Sequence, residues 1–190
     1  MNSIFEDQKL TLADGVRRLE EAGINYMLTG SVAMIRFAMA RMTNDIDIVI
    51  ELSHKDKDRF IRAFSDDYYV PEEKIPGAID RRSMFNVLSN QTLIKIDLAM
   101  KKDTPFHQQA FDDRERTHIW GVDLWSIKKD DLIVSKLYWA KDSRSELQQR
   151  DVVGIMLNGF DLEYVTKWTK QLGVGDLLAD CIIAMESGNA

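Results

Sequence analysis

Two stretches of the chain alternate between apolar and charged positions. Asp45 to Ile50 runs Asp, Ile, Asp, Ile, Val, Ile, and Ile94 to Leu98 runs Ile, Lys, Ile, Asp, Leu. Successive side chains of a strand point to opposite faces. Asp45 and Asp47 therefore share one face of a strand spanning Asn44 to Leu52, and Ile46, Ile48 and Ile50 share the other. Thr92 to Met100 predicts a second strand in which Lys95 and Asp97 alternate with the isoleucines, and Ser89-Asn90-Gln91 joins it to Met84–Leu88 as a hairpin.

Elsewhere the spacing is mostly helical. Thr11-Leu12-Ala13-Asp14 has capping-box spacing, Leu12, Val16 and Leu19 follow on one stripe, and Gly23 stops the run. A short apolar strand, Ile24 to Thr29, leads into Gly30-Ser31 and a helix from Ser31 to about Met39. Ser53-His54-Lys55-Asp56 caps a helix with Phe60, Ile61 and Phe64 on its stripe. From Tyr68 to Arg82, Pro71 opens a helix that Pro76-Gly77 breaks, which predicts a short irregular helix or a loop. Lys101 to Pro105 predicts a loop, Phe106 to Phe111 a helical turn, and Thr117 to Ile127 a hairpin turning at Trp120-Gly121. Four helical segments follow, 130–139, 145–157, 162–172 and 176–185, punctuated by Gly159, Gly173 and Gly175.

Strands followed by a run of helices predict an α+β chain, and 190 residues at 45% hydrophobic content suffice for one sizeable core. Residues 1–7 lack the basic start and apolar stretch of a signal peptide, and charge interrupts each long apolar run, so the expectation is a cytoplasmic protein without a membrane span. Cys181 lies in an apolar run and is read as a buried small hydrophobe, while His54, His107 and His118 lack zinc-site spacing. A net charge of −6 excludes a broad positive field for nucleic acid. A local basic groove stays open, with Arg81-Arg82, Lys101-Lys102, Arg114 with Arg116, and Lys128-Lys129 as candidates that equally suit a solvated surface.

The chemistry concentrates between Leu28 and Ile50. Two carboxylates on one strand face repel, and oxygen-only ligation suits a hard divalent cation such as Mg²⁺. The bland reading of Asp45 and Asp47 is a solvated strand edge; three acids in isoleucine-rich strands favour a site, because acids are poor strand formers. Gly30 lets a backbone approach an anion closely, and Ser31 offers a hydroxyl and a helix cap, roles that are compatible.

Gly30-Ser31 followed by Asp45-x-Asp47 resembles the signature of the polymerase-β-like nucleotidyltransferase superfamily, and Asp97 stands where that family places a third acid on a neighbouring strand. Residues 41–47, 131–137 and Arg150-Asp151 are similar to the abortive-infection-type branch, several of whose members are toxins of toxin–antitoxin pairs. The resemblance covers roughly residues 24–157. It implies a nucleotidyltransferase-type mixed β-sheet with flanking helices over residues 1–128 and a C-terminal helical bundle, 129–190, packed on it.

It further implies catalytic, metal-binding Asp45, Asp47 and Asp97 with two Mg²⁺ ions, and nucleotide contacts from Gly30, Ser31, Arg41, Thr43 and Lys136. Lys136 equally suits a surface helix, and Arg150-Asp151 an ion pair. The implied activity moves a nucleoside monophosphate from a triphosphate such as ATP to an acceptor hydroxyl, with a tRNA end as acceptor and an antitoxin as partner. A small molecule or a protein as acceptor, or a non-catalytic nucleotide-binding regulatory module, fits the same residues.

Overall fold

The computed structural model describes residues 3–39, 43 and 45–187. Helix α1, Ile4–Glu21, precedes strand β1, Tyr26–Leu28, the short helix α2, Gly30–Met34, and strand β2, Asp45–Ile50. Helix α3, Lys57–Phe64, strand β3, Tyr68–Tyr69, and helix α4, Ile75–Arg81, lead to the hairpin of β4, Met84–Ser89, and β5, Lys95–Met100. Helix α5, Pro105–Asp112, precedes a second hairpin, β6, Glu115–Ile119, and β7, Val122–Ser126. Four helices complete the described chain: α6, Lys129–Trp139; α7, Glu146–Met156; α8, Leu162–Leu172; and α9, Gly175–Glu186.

The seven strands form one mixed sheet in the order β3-β4-β5-β2-β1-β7-β6. β2 lies parallel to β5 and antiparallel to β1, so the two acid-bearing strands run side by side. Their even-numbered face, with Ile46, Ile48, Ile50, Ile96 and Leu98, is fully buried. It packs under α1, where a Cβ on Gly15 would stand 2.7 Å from the Ile96 side chain. On the other side of the sheet, α6 meets α2 and packs with α7 and α8, which sets the helical region against the acid-bearing face. Among the described residues, no helix is long and apolar enough to cross a membrane.

Three local expectations are corrected. α1 begins well before Thr11, because Ser3 caps it by accepting from the Glu6 amide at 3.4 Å. The Thr11 hydroxyl instead donates to the Asp7 carbonyl within the helix and meets the Thr92 hydroxyl at 2.6 Å. Ser53 does not cap α3; its amide and hydroxyl both donate to Asp56, which occupies the cap position. Pro76 opens α4 rather than breaking it, since a first-turn proline gives up no helical hydrogen bond. The hairpin at Trp120-Gly121 forms as expected, with both residues at positive φ, 53° and 88°, as a tight primed turn requires.

Candidate active site

The parallel register sets Asp47 directly beside Asp97 and Asp45 beside Lys95. Neighbouring strands lie about 4.8 Å apart, so side chains paired in this way lie within mutual electrostatic reach. Asp97 is 8% exposed, and its Oδ1 is buried without a hydrogen-bond partner among the described residues. Burial, reinforced by the charges of Asp45 and Asp97, pushes the Asp47 carboxyl up to about 6, against the milder pull of Lys136 and Lys95. An acid cluster that cannot cheaply carry all its charge is what a divalent cation relieves.

A lysine partly meets that need. Lys95 Nζ lies 2.8 Å from Asp97 and 3.8 Å from Asp45, and its hydrogen bond to Asp97 raises the ammonium pKa. Among the described residues, no three acid, histidine or cysteine side chains converge as a preformed metal cage. The donor set nevertheless fits a hard cation, with two buried-side carboxylates, one unpartnered oxygen, and a displaceable ammonium on a half-exposed side chain.

Gly30 adopts φ +66°, and a Cβ there would overlap the Asp47 carboxylate. The Thr29 amide donates to the Asp47 carbonyl at 2.9 Å, tying the glycine turn to the acid strand. Ser31 is not the cap, as the sequence suggests; Thr29 occupies that position and Ser31 sits inside the first turn, buried and lining the cleft. The cleft, about 160 Å³, is bounded by Gly30, Ser31, Asp45 and Asp47 on one wall and by Ser135, Lys136 and Trp139 of α6 on the other.

Lys136 thus reaches the cleft wall, but its ammonium is engaged. Only 4% exposed, it donates to Asp151 at 2.7 Å and to Gln148 at 3.2 Å, both on α7. Asp151 therefore pairs with Lys136, where the sequence suggested Arg150. The Thr43 hydroxyl donates to the Asp45 carboxylate, and the Gln8 amide donates to the Thr43 carbonyl. Arg41 lies outside the described residues. Lys95, Ser135, Trp139 and Gln148 join the site without having been singled out. The signal for Lys95 was its two-residue offset from Asp97, and that for Ser135 and Trp139 their four-residue spacing on the helix that carries Lys136.

No protein-family model matches the chain, and no curated protein matches it by sequence. Its fold, however, is that of nucleotidyltransferase-like proteins. It superimposes on an antigenic nucleotidyltransferase-like protein from Paracoccidioides brasiliensis with a TM-score of 0.62 at 16% identity, over 96% of this chain and 90% of that one. The antibiotic-resistance factor ANT(2'')-Ia gives a TM-score of 0.52 at 11% identity over 96% of each chain. JHP933 from Helicobacter pylori gives 0.52 at 14% identity, over 100% of this chain and 96% of that one.

Proposed function

We propose that the protein is a metal-dependent nucleotidyltransferase. The observation that carries this reading is the cross-strand pair Asp47 and Asp97, one with a carboxyl raised to about 6 and the other with an orphaned buried oxygen, set against the glycine turn at Gly30. Asp45, Asp47 and Asp97 would hold Mg²⁺, which when bound neutralises charge developing on the phosphoryl oxygens and the leaving pyrophosphate.

The chain's own residues supply the positioning. Gly30, lacking a side chain, leaves room for the Asp47 carboxylate to lie against the turn, which fixes the acid at the wall of the cleft. Lys136, fixed by Asp151 and Gln148, keeps a positive charge at the cleft wall, and Thr43 orients Asp45. Arg41 is assigned to the nucleotide on sequence grounds. An acceptor oxygen forms a bond to the α-phosphorus while the bridging P–O bond breaks, pyrophosphate leaves with the electron pair, and Asp97 takes the acceptor proton.

The acceptor in this reading is a tRNA end and the biological role that of a cytoplasmic toxin held by an antitoxin, supported by the motifs at 41–47, 131–137 and 150–151. The catalytic unit is assigned to residues 1–128 and the helical region to 129–190. The test is pyrophosphate release from each of the four nucleoside triphosphates with Mg²⁺ and total tRNA. Release that Asp97→Asn abolishes supports the reading; triphosphate binding with no release from any of the four overturns the tRNA acceptor and favours a small-molecule or protein acceptor or a regulatory binding module.

A further inference from the structure

The acid cleft does not end at Trp139. Thr29, Ser135 and Trp139 border both it and an adjoining apolar pocket, and Ala99, Met100, Lys102 and Trp139 carry that pocket into a third, open cleft of about 460 Å³. We propose that this open cleft, where Arg81, Arg82, Lys102 and Lys141 converge beside Tyr138 and Trp139, binds the single-stranded end of a nucleic-acid acceptor and leads it to the acids. The inference rests on the nucleotidyl-transfer reading and gives that site its acceptor path.

Four cations arrive from three parts of the chain: Arg81 and Arg82 from the end of α4 and its C-cap, Lys102 from the segment after β5, and Lys141 from beyond α6, its ammonium donating to the Leu172 carbonyl at 3.0 Å. Their acidic company is Asp142, which also lines the cleft, and Asp103, 3.1 Å from Arg82. A chain of net charge −6 thus gathers a local excess of positive charge next to its acid site. Of the basic pairs left open by the sequence, Arg81-Arg82 faces the cleft whole, while Lys101-Lys102 is divided: Lys102 faces the cleft and Lys101 is bound to Glu51.

The aromatic groups favour bases over other polyanions. Trp139 is 51% exposed at the junction of all three cavities, an unusual placement for the largest side chain. Lys102 Nζ stands 4.4 Å from the Tyr138 ring centroid and 3.1 Å from its hydroxyl, which fixes a cation over an aromatic plane. A cationic groove with accessible aromatic rings is the arrangement that tracks phosphates and stacks bases of a single strand. A duplex would need the broad positive field that this chain lacks.

The test is fluorescence anisotropy of a short labelled single-stranded RNA with the full-length protein, without triphosphate and over a salt series. Arg81 and Lys141 are both exposed, and Lys141 gives up only its hydrogen bond to the Leu172 carbonyl, so Arg81→Gln/Lys141→Gln should fold, and unchanged binding of a fluorescent triphosphate with Mg²⁺ reports that it has. The double variant is expected to lose at least about tenfold in RNA affinity, with a salt slope shallower by about 1.4 for two lost phosphate contacts. Trp139→Ala is expected to lose roughly fivefold to a hundredfold through stacking. Arg17→Glu/Arg62→Glu, on helices covering the opposite sheet face, should leave RNA affinity in place. Absence of RNA binding by the wild type, equal binding by the cleft variant, or capture of an acidic peptide in place of RNA overturns the inference. Because binding is read without turnover, these outcomes stand apart from pyrophosphate release, which judges the catalytic reading.

Discussion

A Cβ placed on Gly30 would lie 2.0 Å from Asp47 Oδ2 and 2.6 Å from its Cγ. The glycine and the acid therefore occupy one another's space, and the turn exists in this form because residue 30 has no side chain. Gly30→Ala meets two obstacles, the overlap and a left-handed φ of +66°. It is expected to cost about 1–3 kcal/mol in chemical denaturation and to displace Asp47, reducing nucleotide transfer at least a hundredfold even where the protein is folded.

Asp47 makes a pH prediction whose sign follows from its raised carboxyl. It titrates from 3.8 in the unfolded chain to about 6 in the fold, so the fold favours its protonated form. Its unfavourable contribution is absent below pH 4, grows between about 4 and 6, and persists above, reaching about 3 kcal/mol. Metal-free protein should lose stability across that window. Asp131, raised to about 6 by burial, acts in the same window, so the comparison with Asp47→Asn isolates Asp47. That variant should be more stable than wild type at pH 8 and equal to it at pH 4, and Mg²⁺ should raise Tm more at pH 8 than at pH 5.

Lys95 stands in for a cation between Asp97 and Asp45. Lys95→Met should therefore lower the Tm of metal-free protein and tighten Mn²⁺ binding in calorimetric titration. The gain is expected to be about fivefold, because a pair this exposed is worth no more than about 1 kcal/mol. Weaker Mn²⁺ binding would show that Lys95 supports the metal rather than competing with it.

Lys136 is a buried charge whose ammonium is held by a buried carboxylate. Lys136→Met removes one buried charge-assisted hydrogen bond from Asp151 and is expected to cost about 2 kcal/mol, read by urea denaturation. Triphosphate affinity measured at a temperature where the variant is folded should also fall, since its positive charge faces the cleft.

Local alternation carried much of this site. The two-residue period placed Asp45 and Asp47 on one face, and the hairpin at 84–100 brought Asp97 to the adjoining strand. Fixed-period patterns and stop signals such as Gly173 also located α8 at Leu162–Leu172. What the sequence concealed depends on partners distant along the chain. Pairing of Lys136 with Asp151 requires α6 against α7, and the start of α1 turns on Ser3 rather than on the better-looking Thr11. The convergence of Arg81, Lys102 and Lys141 likewise needs three elements folded together, and no window of sequence contains it.

The central claim is transfer of a nucleoside monophosphate, and the measurement that tests it most directly compares α-labelled with γ-labelled triphosphate in the presence of Mg²⁺ and total tRNA. The account predicts that the α label moves to the acceptor, that the γ label appears in pyrophosphate, and that Asp47→Ala abolishes both. Transfer of the γ label, release of free phosphate without acceptor labelling, or full activity in Asp47→Ala would contradict it.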